Sequence, residues 1–259
     1  MAQACTRDGR GLVSIVLFGS AAKGGFAQQA SDVDLIVVIP DGASREERAR
    51  VRGEVVRLEI EHGFKQPVEP RSWLQAFAES AGGQDHSCFV CTQSDLVSGD
   101  VARVFDLNAV QAFLVDRIVF ATVTASLVTV WGEDLRPLVR PPPVRRLDVF
   151  KACFIFTNQV LSSLAAYPLL PNATCYAMGA LKHSLHSCYF CYHLKTTALD
   201  EEVAFFQQRL GVSHTMKQLL DLRKRYRKSF GFVVRCLPAL LRLHLGTALD
   251  NSFPLDGPR

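Results

Sequence analysis

Residues 12–18, Leu-Val-Ser-Ile-Val-Leu-Phe, form an apolar and largely β-branched run. That is the pattern of a strand buried on both faces. Gly19 ends the run, and Ser20 stands where it would cap a short helical turn through Ala21 and Ala22, which Gly24 and Gly25 then stop. A polar stretch leads to a second apolar strand from Val33 to Ile39, closed by the turn residues Pro40-Asp41-Gly42. Ser44-Arg45-Glu46-Glu47 has capping-box spacing, and Val51, Val55, Leu58 and Ile60 behind it mark one buried helical face. A shorter helix is expected around 72–80, ended by Gly82-Gly83, and a strand over 87–92. Strand, helix, strand, helix and strand follow one another across residues 12–92, an α/β arrangement.

After Asn108 the periodicity becomes helical, over 109–131, 148–166, 173–197, 200–210, 214–229 and 231–246. Gly132, Pro137, the run Pro141-Pro142-Pro143, Pro168 and Pro171 punctuate these segments. The pattern therefore predicts a small mixed-sheet domain over 1–106, an all-α helical bundle over 107–249, and a flexible polar tail over 250–259. The fold class is α+β followed by α.

Composition narrows the function classes. At 48% hydrophobic and 21% charged residues the chain is that of a globular protein with a sizeable core. A net charge of +4 suits an anionic ligand and is too small to argue for nucleic acid. The longest apolar window, Ile118 to Trp131, is shorter than a membrane span, and Met1 to Asp8 lacks an apolar signal region. Eight cysteines without such a signal read as reduced thiols, so a cytoplasmic location is expected.

The candidate chemistry lies between the first two strands. Asp32 and Asp34 are two apart at the start of the second strand, so their side chains leave one face. Adjacent carboxylates repel unless a cation neutralises them, and an oxygen pair suits Mg2+, which completes its shell with water and substrate phosphates. Gly19 allows a backbone to approach a phosphate, Ser20 adds a hydroxyl and an amide, and Lys23 can reach the same phosphates.

Gly19-Ser20-Ala21-Ala22-Lys23-Gly24, eleven residues from Ser20 to Asp32, and then Ser31-Asp32-Val33-Asp34-Leu35-Ile36-Val37-Val38 together resemble a known signature. It is that of the DNA polymerase β-like nucleotidyltransferase superfamily, in the form found in minimal and antibiotic nucleotidyltransferases. The signature covers 12–39, and the order of elements extends the resemblance to about residue 105. The resemblance implies a nucleoside triphosphate held at Gly19, Ser20 and Lys23, with Mg2+ at Asp32 and Asp34. It further implies in-line attack of an acceptor hydroxyl, on a small molecule or a protein, at the α-phosphorus with release of pyrophosphate. Two features depart from the superfamily. Only residues 1–11 precede the first strand, where a helix is common, and the usual third carboxylate is missing from Ser87 to Thr92. Asp85 and Asp95 flank that strand, and each also reads as a loop or cap residue. Without the third acid, the chain also fits a weak or inactive regulatory module of the antitoxin type.

Other motifs carry weaker messages. Cys88-x-x-Cys91 lies in a strand and Cys188-x-x-Cys191 in a helix, neither of them the turn that holds zinc. His183, His186 and His193 read as core or groove residues of one helix. Arg223-Lys224-Arg225-Tyr226-Arg227-Lys228 reads as a solvated helix end rather than a nucleic-acid footprint.

Overall fold

The computed structural model describes residues 11–22, 33–63, 88–114, 117–141, 143–211 and 213–250. The helix expected around 72–80, Lys23, Asp32, Asp85 and residues 251–259 of the expected tail lie outside these residues. The chain divides into two units, one of 1–70, 86–114 and 123–143, the other of 71–85, 115–122 and 144–259.

The first unit is built on a mixed four-stranded sheet ordered β3-β2-β1-β4, of β1 (Ser14–Phe18), β2 (Asp34–Ile39), β3 (Cys88–Thr92) and β4 (Val128–Gly132). β1 pairs antiparallel with β2, from Ser14 opposite Val38 to Phe18 opposite Asp34. β2 pairs parallel with β3, from Leu35 beside Cys88 to Ile39 beside Thr92. Period-two alternation sorts the side chains. Ile15, Val37, Ile39 and Val90 pack with Val51 and Val55 of α2 (Arg45–Glu61). Val16, Ile36, Val38 and Cys91 point the other way and are also buried, so the strands are covered on both faces as their runs predict.

Local chemistry accounts for the helix ends. Ser44 Oγ accepts from the Glu47 amide at 3.2 Å while the Glu47 carboxylate accepts from the Ser44 amide at 2.7 Å, a closed capping box. α1 (Gly19–Ala22) is a single turn, and α3 (Gln93–Ser98) and α4 (Val101–Val104) follow β3.

One expectation fails. Residues 109–131 are not one helix but α5 (Ala109–Leu114), α6 (Arg117–Thr124) and then β4, which joins the sheet beside β1. The apolar run has no Gly or Pro before Gly132, so periodicity alone did not divide it. The β-branched Val128, Thr129 and Val130 with Trp131 were the strand signal inside it. Where the sequence divides the chain after 106, residues 123–143 thus pack with the sheet.

The second unit is helical: α7 (Arg146–Ala166), α8 (Ala173–His193), α9 (Leu199–Leu210), α10 (Ser213–Lys224) and α11 (Phe230–Ala248). Its core joins Phe156 and Val160 of α7, Leu181 and Leu185 of α8, Phe206 of α9, Leu219 of α10, and Phe232 and Leu240 of α11. α8 is the central helix, its buried residues running from Ala173 to Cys191. α7 and α11 are long and apolar enough to cross a membrane by length and composition, a length the window at Ile118 does not reach. The basic run straddles the end of α10, which stops at Lys224.

Candidate functional site

The site is assembled by the β1–β2 pairing. Phe18 and Asp34 are directly opposed in an antiparallel pair, so both side chains leave the same face of the sheet. The next residue after Phe18 is Gly19, where the chain leaves β1 with φ at +72°. A β-carbon there would overlap the Asp34 carboxylate, with Cγ only 3.1 Å away. Both facts demand glycine, one for backbone conformation and one for space. The backbone of the Gly19 turn is thereby pressed against the second carboxylate of the Asp-x-Asp pair.

Of the residues singled out in the sequence, the structure brings Gly19 and Asp34 into contact and places Ser20 in the single turn α1. Lys23 and Asp32 lie outside the described residues. Asp34 is half-buried, beside an aromatic cluster in which Phe18 and Phe89 lie 6.1 Å apart and Phe89 and Phe105 meet edge to face at 4.7 Å. A four-residue turn has no appreciable macrodipole, so what it can offer an anion is backbone amides rather than a helix end.

Asp95 is engaged elsewhere. It is buried, accepts from the Thr92 amide at 3.2 Å as the reciprocal half of a capping box, and pairs with Arg48 at 3.1 Å. The cap reading of Asp95 therefore describes its contacts. β3 holds no acid between Cys88 and Thr92, and Asp85 lies outside the described residues. Glu59 is buried within α2.

The cysteine pairs follow the reading from their elements. Cys88, Cys91, Cys188 and Cys191 are buried. Burial pushes the Cys91 thiol up to about 12, with the Asp95 charge adding to it. Among the described residues no group of three or more His, Cys, Asp or Glu is placed to hold a metal ion. Of the histidines, His186 Nδ1 meets the fully buried Glu202 at 2.7 Å, and His183 stacks on Phe156 at 6.1 Å. A cavity of about 360 Å³ lined by Leu12, Ile39, Pro40, Glu47 and Arg50 lies at the other end of β2. It is separated from Asp34 by roughly 17 Å of strand and does not belong to this site.

A family model described as a nucleotidyltransferase domain matches residues 2–77, the stretch that contains β1, Gly19, Asp34 and α2. The chain carries a nucleotidyltransferase domain. The matched family is one of transferases of phosphorus-containing groups. No curated protein matches this chain. Among solved structures, the chain is similar to spectinomycin adenyltransferase AAD(9) from Enterococcus faecialis, determined with ATP and spectinomycin. The TM-score is 0.51 at 11% identity, over 93% of this chain and 96% of that one. At that identity the likeness is one of fold, and it extends beyond the nucleotidyltransferase domain along nearly the whole chain.

The chemistry of the site fits a divalent cation. Asp34, packed against the Gly19 turn, offers the hard carboxylate oxygen that Mg2+ prefers. The pairing register was not legible in the sequence. The sign of it was the Gly immediately after a strand whose partner begins with an acid.

Proposed function

We propose that this protein transfers a nucleoside monophosphate from a nucleoside triphosphate, ATP in the first instance, to a hydroxyl of a small-molecule acceptor. The observation that carries the reading is the Gly19 turn packed on Asp34, supported by the nucleotidyltransferase domain match at 2–77. The small-molecule acceptor and ATP rest on the similar fold of an adenyltransferase solved with ATP and spectinomycin.

Backbone amides at Gly19 and Ser20, with Lys23, would take the triphosphate, and Asp32 and Asp34 would hold Mg2+. Bound Mg2+ would offset charge on the phosphates and orient the α-phosphorus for in-line attack. The protein's own contribution is positional. Gly19 has no side chain to separate the triphosphate from the carboxylate, and the sheet register fixes Asp34 opposite Phe18. The reducing, ATP-containing cytoplasm is the compartment this reading implies.

The test is transfer of label from α-labelled ATP, and from the other nucleoside triphosphates, to a panel of polyhydroxylated small molecules with Mg2+ present. Label in an acceptor with stoichiometric pyrophosphate supports the proposal. No transfer and no pyrophosphate with any nucleotide would overturn it.

A second reading has one observation in its favour: β3 has no acid, and Asp95 just after it is occupied by its cap and by Arg48. In that reading the domain binds nucleotide weakly or not at all and serves as a regulatory module of the antitoxin type. Absence of ATP binding in calorimetry, with and without Mg2+, together with absence of transfer, would favour it.

A further inference from the structure

The long helix α7 has two apolar faces. One supplies Ala152, Cys153, Phe156 and Val160 to the core of the helical unit. The other presents Leu147, Phe150, Phe154, Leu161 and Leu164, which are 36–63% exposed. These five, with the half-buried Thr157, alternate steps of three and four along the helix. Leu147, Phe154 and Leu161 fall at one heptad position, and Phe150, Thr157 and Leu164 at the other. A bundle helix needs one such stripe to bury; a second, in seam spacing, is the pattern of a helix that packs against a further helix. The exposed residues of α7 are all uncharged, Asn158 and Ala165 completing the set, and the half-buried Lys151 flanks the stripe beside Leu147 and Phe154. Depletion of charge is what distinguishes the centre of an interface from ordinary surface.

We propose that this face joins two copies of the chain, α7 against α7, antiparallel about a twofold axis. The order of side chains along the seam selects the partner and its direction. Read against its own reverse, Leu147 meets the partner's Leu164, Phe150 meets the partner's Leu161, and Phe154 meets the partner's Thr157. Each phenylalanine faces a smaller side chain, so large and small interdigitate along the whole seam. In a parallel pairing Phe150 and Phe154 would each face its own copy. A self-complementary patch of this kind is the requirement of a twofold interface. The five exposed side chains present roughly 500 Å² per copy, so complete burial of the stripe on both copies would remove about 1,000 Å² in all, the lower limit for a specific interface.

Sedimentation velocity on the full chain tests the proposal. The expected result is a dimer with Kd at or below about 10 µM. Phe154→Glu should weaken association at least fiftyfold while leaving circular dichroism and melting temperature unchanged, because the side chain is exposed. Direction is read by oxidative cross-linking. A mixture of Leu147→Cys chains and Leu164→Cys chains should cross-link to each other, and Phe150→Cys chains should not cross-link to themselves. A monomer at every concentration, a dimer indifferent to Phe154→Glu, or self-cross-linking of Phe150→Cys would overturn the proposal. So would a monomer that binds neutral lipid vesicles through Phe154, since that face would then be covered by lipid.

Discussion

Gly19 and Asp34 touch across the end of the β1–β2 pair, and the contact leaves no room for a side chain at residue 19. Everything proposed for the site depends on this closeness. In the proposed reading the triphosphate lies on the Gly19 turn and its cation on Asp34.

Gly19→Ala should therefore act twice. A positive φ costs an ordinary residue about 1–2 kcal/mol, which a melting curve will show. The added methyl must also displace the Asp34 carboxylate, so nucleotide binding should fall far more than stability. Ser20→Gly, which leaves the backbone amides in place, should lose less binding than Gly19→Ala.

Asp95 should behave as a structural residue. Its cap to the Thr92 amide and its pair with Arg48 are both lost in Asp95→Ala, at about 2–4 kcal/mol for a buried partner and cap. Chemical denaturation of Asp95→Ala and Arg48→Ala should show comparable destabilisation. If Asp95 were a metal ligand or base instead, Asp95→Asn would lose turnover with its midpoint unchanged.

His244 predicts a pH dependence. Burial depresses its imidazole to about 4, the Val149 backbone opposing the shift. Nδ1 lies 3.6 Å from Cys188 Sγ. Because the folded value is below the unfolded one near 6.5, the neutral form is favoured by folding. The contribution, roughly 3 kcal/mol, is fully present above pH 6.5 and is lost as the pH falls from 6.5 towards 4. Melting temperature should drop across that window in the native chain, and the slope should flatten in His244→Gln.

Cys91 and Cys236 should be inert. Cys91 and Cys236 are held up by burial, so native protein should resist alkylation at both until it unfolds. A zinc chelator should leave the melting curve unmoved, whereas removal of Mg2+ should abolish transfer without altering the fold.

Much of this was readable in the chain because the signals were local. The Ser44 to Glu47 box, the buried strand at 14–18 and the Gly-Ser with Asp-x-Asp spacing each need only a few neighbouring residues. What escaped was non-local. β4 sits more than 100 residues from β1, its partner, and the only local sign was a short β-branched stretch inside a longer apolar run. Antiparallel register, which sets Asp34 opposite Phe18, depends on a turn whose length the sequence shows but whose path it does not. The surplus stripe on α7 was likewise hidden, because an apolar residue in a helix looks the same whether it faces the core or a second chain.

The most direct test of the central claim is equilibrium binding of ATP by the full chain, titrated with and without Mg2+, for the native protein and Asp34→Asn. The account predicts Mg2+-dependent binding in the native chain and at least a tenfold loss in Asp34→Asn, with the melting temperature preserved. Equal binding by both proteins, indifferent to Mg2+, would contradict it.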